Sequence, residues 1–131
     1  MKLLAIFLVC FFAGVFSQQL DEFFGRMETL KEGCISESSV RPELVDRLFE
    51  AGEFNEDGNL KCFIKCIFVK MNAMSPAGDI QVDNFKSQFP AAIDRTVVNE
   101  AVETCKSQTG VDACDRAFNL ARCSLKAIKL I

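Results

Sequence analysis

Seven cysteines and no histidine bound the chemistry open to this 131-residue chain. Nucleophilic and general acid–base catalysis draw chiefly on histidine or on an activated thiol. The thiols here have another use. Cys10 lies inside an N-terminal segment with the marks of a secretory signal: Lys2 as the charged start, an apolar run from Leu3 to Phe16, and Ser17 as the small residue at the cut. Six cysteines follow it, namely Cys34, Cys62, Cys66, Cys105, Cys114 and Cys123. An even set in an exported chain of this size reads as three disulfides, which leaves no free thiol. Zinc is a poor rival, because there is no histidine and no Cys-x-x-Cys pair. The acids Glu53, Glu56 and Asp57 sit in a turn and read as solvated loop charge. The stretch Asn55–Gly58 lacks the oxygen spacing and the twelfth-position ligand of a calcium loop. The expectation is a protein that is not an enzyme and holds no cofactor or metal. No Asn-x-Ser/Thr sequon occurs either.

The elements that position these cysteines are helical. Residues 1–17 are expected to be removed, leaving one domain over 18–131. Loss of Lys2 leaves 14 basic residues against 18 acidic ones, a net charge of −4. Such a chain offers no basic patch for nucleic acid, and it has no second apolar run able to insert stably in a membrane. Apolar residues recur at helical spacing. Leu20, Phe23, Phe24, Met27, Leu30 and Cys34 share one arc of a first helix. Pro42 opens a second, with Leu44, Val45, Leu48 and Phe49, closing near Gly52. A third spans about 59–73, its two cysteines on one face and Phe63, Ile64, Ile67, Phe68 and Met71 on the other. Asp79 is expected to cap a short fourth helix carrying Val82, Phe85 and Phe89. Pro90 is expected to start a long fifth, striped by Ile93, Val97, Val98, Ala101, Val102 and Cys105. A sixth covers about 111–126. Alternating strand patterns are missing, so the fold class is all-α.

Helix geometry narrows the cross-links. Cys114 and Cys123 are about 13.5 Å apart along one helix and face opposite sides, too far for a bond. Cys62 and Cys66 have parallel Cβ vectors, which favour separate partners. Excluding both pairs leaves ten of the fifteen connectivities. The spacing Cys34-x27-Cys62-x3-Cys66-x38-Cys105-x8-Cys114-x8-Cys123 resembles the six-cysteine signature of insect odorant-binding proteins. Leu60-Lys61-Cys62 through Cys66-Ile67-Phe68 resembles that family's third helix, and Ala77-Gly78-Asp79-Ile80 the turn after it. The resemblance implies pairings Cys34–Cys66, Cys62–Cys114 and Cys105–Cys123, and about six helices around an apolar cavity. It also implies that Met27, Ile64 and Phe68 point inward.

The projection of the third helix places Ile64, Phe68 and Met71 away from the cysteines. Phe85, Val98, Val102, Phe118 and Leu120 are expected to close the walls, with core packing the competing role for each. The greasy tail is expected to bring Leu125, Ile128 and Leu130 back onto the body or the pocket mouth, or to continue the last helix. The implied function is a secreted extracellular carrier, found in sensillar lymph if olfactory, that takes small hydrophobic odorants or pheromones to a receptor. It would act as a monomer or weak homodimer. The alternatives are a non-olfactory lipid or hormone carrier, or a saposin-like membrane-interacting protein. Without histidine, the imidazole switch between pH 5 and 8 cannot operate, so any acid release falls to carboxylates.

Overall fold

The computed structural model describes residues 21–22 and 25–129. The expected signal segment 1–17, Cys10, the expected stripe residues Leu20, Phe23 and Phe24, and Leu130 lie outside the described residues. Six helices carry the described chain: α1 (25–38), α2 (Pro42–Ala51), α3 (Gly58–Lys70), α4 (Val82–Gln88), α5 (Arg95–Cys105) and α6 (Ala113–Ala127). Among the described residues the extended pairing is a single isolated bridge between Met74 and Ile80.

Local signals set the helix ends. Pro42 occupies the first turn of α2, where a missing N–H costs nothing, and Gly52 closes it at φ 64°. Asn55 Oδ1 accepts the Asp57 N–H at 2.9 Å, and Asp57 in turn caps α3 by accepting from Leu60 N at 3.0 Å. The turn anticipated at Asn55–Gly58 is therefore also the start of α3. Asp94 caps α5 through Thr96 N, and Asp112 caps α6 through Asp115 N, both at 2.8 Å.

Three boundaries differ from the sequence expectation. The third helix stops at Lys70 because Asn72 adopts φ 58°, and the Ala73 and Met74 N–H groups both donate back to Phe68 O. Asp79 does not cap α4. Its N–H donates to Ser75 Oγ and its carbonyl accepts from Ser75 N, so it is spent in the preceding turn. Pro90 does not begin α5. Residues 90–93 form a turn, and the Arg95 guanidinium donates to the Lys86, Phe89 and Ile93 carbonyls from the helix start, which fixes it there. Val97, placed on the buried stripe from periodicity, is 39% exposed, because at about 100° per residue it falls at the edge of the arc set by Val98, Ala101, Val102 and Cys105.

The core forms where α3 meets α6. Leu60, Phe63, Phe118 and Leu120 are essentially inaccessible, flanked by Val45 from α2 and by Val98 and Val102 from α5. The disulfides join α1 to α3 (Cys34–Cys66), α3 to α6 (Cys62–Cys114) and α5 to α6 (Cys105–Cys123). Their Cα separations of 5.6, 4.5 and 5.7 Å lie within the range a disulfide spans. The pairing implied by the family resemblance is the one observed. In the chain-entropy account each loop is worth about 3–4 kcal/mol.

Candidate ligand cavity

Five helices and the α2–α3 loop leave a cavity of about 350 Å³ between them. That is the small end of the range of about 300–1,000 Å³ usual for small-molecule pockets. α1 supplies Met27, and α2 supplies Leu48, Phe49 and its C-terminal turn through Gly52. The α2–α3 loop adds Phe54. The apolar face of α3 contributes Phe63, Ile64, Ile67 and Phe68, joined by Met71 at its C-cap. From α4 come Phe85 and Gln88, with Phe89 at its C-cap, and from α6 Ala121, Ser124 and Leu125. Six of these residues are phenylalanines. Phe68 meets Phe85, and Phe85 meets Phe89, edge to face at centroid distances of 5.4 and 5.3 Å. Phe49 meets Phe63 in the same way at 6.2 Å. Such edge contacts hold the rings against one another.

Of the eleven residues singled out from sequence for the pocket, six line this cavity: Met27, Ile64, Phe68, Met71, Phe85 and Leu125. Val98, Val102, Phe118 and Leu120 do not. All four are wholly buried in the packed core, and no residue of α5 reaches the cavity wall. Ile128 caps the C-terminus of α6 and packs half-buried against the core, outside the lining set. The tail thus continues the last helix as far as Ala127, with Leu125 on its cavity side.

Phe63 and Ile67 share the wide apolar arc of α3 with the residues chosen, so that signal was in plain sight. Phe54 carries no periodicity, because it stands in a loop. Ser124 had a readable signal: it lies three residues past Ala121 and seven past Ala117, a lone hydroxyl on an apolar stripe.

A charged cluster pins the wall that carries Phe54. Lys61 Nζ lies 2.8 Å from Asp115 and 3.0 Å from Glu56, and Arg122 lies 3.2 Å from Glu56. Both cations also stand over the Phe118 ring, at 5.1 and 5.0 Å, while Phe54 meets that ring edge-on at 5.4 Å. The Lys61 hydrogen bond holds the Asp115 and Glu56 carboxyls below their ordinary range, with the Val111 N–H adding to the effect at Asp115. Asp115, then Glu56, hold the Lys61 ammonium above its own. Elsewhere Glu37 stands 3.0 Å from Cys66 Sγ beside Cys34, but those two sulfurs are bonded to each other and cannot ligate a metal. Among the described residues no helix is long and apolar enough to cross a membrane.

A cross-linked helical bundle enclosing an apolar cavity defines a small-ligand carrier in architecture. The sequence profile of the PBP/GOBP family matches residues 17–127. Odorant-binding protein 22 of Aedes aegypti is 30% identical over 101 residues, which is 76% of this chain and 72% of that protein. General odorant-binding protein 99a of Drosophila melanogaster is 27% identical over 104 residues, 76% of this chain and 72% of its own. Among solved structures, the medfly odorant-binding protein CcapOBP22/CcapOBP69a superposes with a TM-score of 0.64 at 30% identity, covering 79% of this chain and 91% of that one. The chain belongs to the PBP/GOBP family. That family consists of odorant-binding carriers of small hydrophobic ligands rather than enzymes, and membership sets aside the saposin-like alternative.

Proposed function

We propose that the protein is a secreted carrier that takes up a small hydrophobic molecule, an odorant or pheromone, and moves it through aqueous lymph to a receptor. The observation that carries this reading is the phenylalanine-rich cavity of about 350 Å³. At the ~30 Å³ a water-sized atom occupies, it holds roughly a dozen heavy atoms. Micromolar binding, about −8 kcal/mol, asks about 0.7 kcal/mol of each such atom, between the bounds known for very small and for drug-sized ligands. Burial alone can supply most of that.

The residues proposed to touch ligand are Met27, Ile64, Phe68, Met71, Phe85 and Leu125, together with Leu48, Phe49, Phe54 and Ile67. Removal of residues 1–17 and action as a monomer or weak dimer belong to the same reading. The chain has no tryptophan to report binding, so the test is displacement of an environment-sensitive apolar probe by a ligand panel. Displacement at micromolar concentration is expected. Absence of any displaceable probe binding overturns the reading. Expression in antennae rather than in other tissues separates an olfactory carrier from a general lipid or hormone carrier.

A further inference from the structure

Two features of the cavity wall select among apolar ligands. The first is Ser124. It lines the cavity from α6 at 1% exposure, and its hydroxyl has no hydrogen-bond partner. A serine inside a helix ordinarily satisfies itself on the carbonyl one turn back, here that of Leu120. Ser124 makes no such bond. Natural interiors seldom leave a buried polar atom unpaired, because each one costs about 1–3 kcal/mol. Gln88 is the other uncharged polar side chain on the described wall, and it is already engaged. Its Nε2 donates to Met71 O and its Oε1 accepts from Arg26.

The second feature is charge. Among the described lining residues the sole ionisable side chain is Glu50, an acid. Arg26 reaches Gln88 from α1 but is not part of the lining set. The C-terminal turn of α2, residues Phe49 to Gly52, forms the same stretch of wall, and a helix carries partial negative charge at that end. A carboxylate seated here would lose its hydration with no cation to replace it, and a buried unpaired charge is far costlier than a buried dipole.

The geometry points to a ligand with one uncharged oxygen function, an alcohol, aldehyde or ester, on an apolar body of roughly a dozen heavy atoms. Its oxygen is held by the Ser124 hydroxyl, which can donate to a carbonyl or an ether oxygen and can either donate to or accept from an alcohol. This inference rests on the carrier reading and specifies its ligand class. Ser124 is the residue that discriminates, and the aromatic walls supply affinity without choosing among head groups.

A probe-displacement series at neutral pH with decanol, decanal, undecane and decanoate tests it on the full mature chain and on Ser124→Ala. In the native protein decanol and decanal are expected to bind about three- to tenfold more tightly than undecane, the range a net hydrogen bond provides. Decanoate is expected to bind more weakly than decanol. In Ser124→Ala the advantage of decanol over undecane should vanish while undecane binds as before or better. Thermal unfolding should show no loss, since the substitution removes an unpaired buried polar atom. An unchanged decanol-to-undecane ratio in Ser124→Ala, an equal loss for both ligands, or decanoate binding more tightly than decanol overturns the proposal. Each of those outcomes leaves the carrier reading standing. Failure of every ligand to displace the probe from the native protein overturns the carrier reading itself.

Discussion

At the scale of single residues, cavity and core are separated by small differences in placement. Ile67 faces the cavity, whereas Phe118, also apolar and on the buried face of its helix, is sealed in the core. Replacing Ile67 by Trp should push an indole ring into the 350 Å³ cavity and reduce probe affinity severalfold. Stability should fall by less than about 3 kcal/mol, the usual upper cost of overpacking. Fluorescence titration beside urea unfolding checks both. Gly78 makes a sharper test of backbone. It sits at φ 95°, and a Cβ there would come within 2.7 Å of the Ala113 Cβ, next to the Cys62–Cys114 bridge. Gly78→Ala should therefore cost about 1–3 kcal/mol in urea unfolding, since strained backbone and a steric clash act together. Periodicity in the sequence made the buried faces of α2, α3 and α6 legible. It could not say which part of those faces meets empty space, because core and cavity walls share one apolar pattern. For that reason Val98, Val102 and Leu120 read the same as Ile64 and Phe85.

At the scale of elements, the three bridges should not be equivalent. Cys105–Cys123 closes 18 residues and ties α5 to α6, yet α5 contributes nothing to the cavity wall. Its double replacement by Ser should lower stability by about 3 kcal/mol and leave probe affinity within about twofold. Cys34–Cys66 anchors α1, which carries Met27 on the wall, to α3. Its double replacement should cost about 4 kcal/mol and weaken binding as well. Parallel unfolding and displacement curves on the two variants decide the matter; equal effects on binding would refute this division. Helix starts with strong chemistry were readable in advance, as Pro42 and the Asn55–Gly58 turn show. Those misplaced, at Asp79 and Pro90, depended on hydrogen bonds between residues apart in sequence. Ser75 occupies Asp79, and Arg95 gathers carbonyls across the Pro90 turn. No local propensity announces such partners.

At the scale of the molecule, the response to pH comes from the charged cluster around Lys61 and from Glu103, which the Lys106 and Lys86 ammonium groups hold below its ordinary range. Glu56 and Asp115 are held below their ordinary values of 4.5 and 3.8, so their contribution is complete above those values and fades as pH falls through the lowered ones. Lys61 is held above 10.5, so its contribution is complete below that and is lost only as pH rises past the raised value. With no histidine in between, melting temperature and probe affinity should be flat from about pH 5 to 9 and fall together below about pH 4. Loss of the Glu56 contacts frees the loop bearing Phe54, so the cavity should fail with the cluster. Glu56→Gln should lower melting temperature slightly at neutral pH and shrink the acid-dependent drop. A sharp transition between pH 6 and 7 in circular dichroism melts would contradict this account.

The absence of α5 from the cavity wall has a further consequence. Its wet face, with Arg95, Asn99, Glu100 and Glu103 exposed, stands behind a layer of core from whatever the cavity holds. Outer identity and inner taste are thus written on different helices. Substitutions on α5 can redraw the exterior that other molecules encounter without altering cargo. Changes in α3, α4 or α6 can retune cargo beneath an unaltered exterior. Two kinds of variation can accumulate in one small chain with little interference between them.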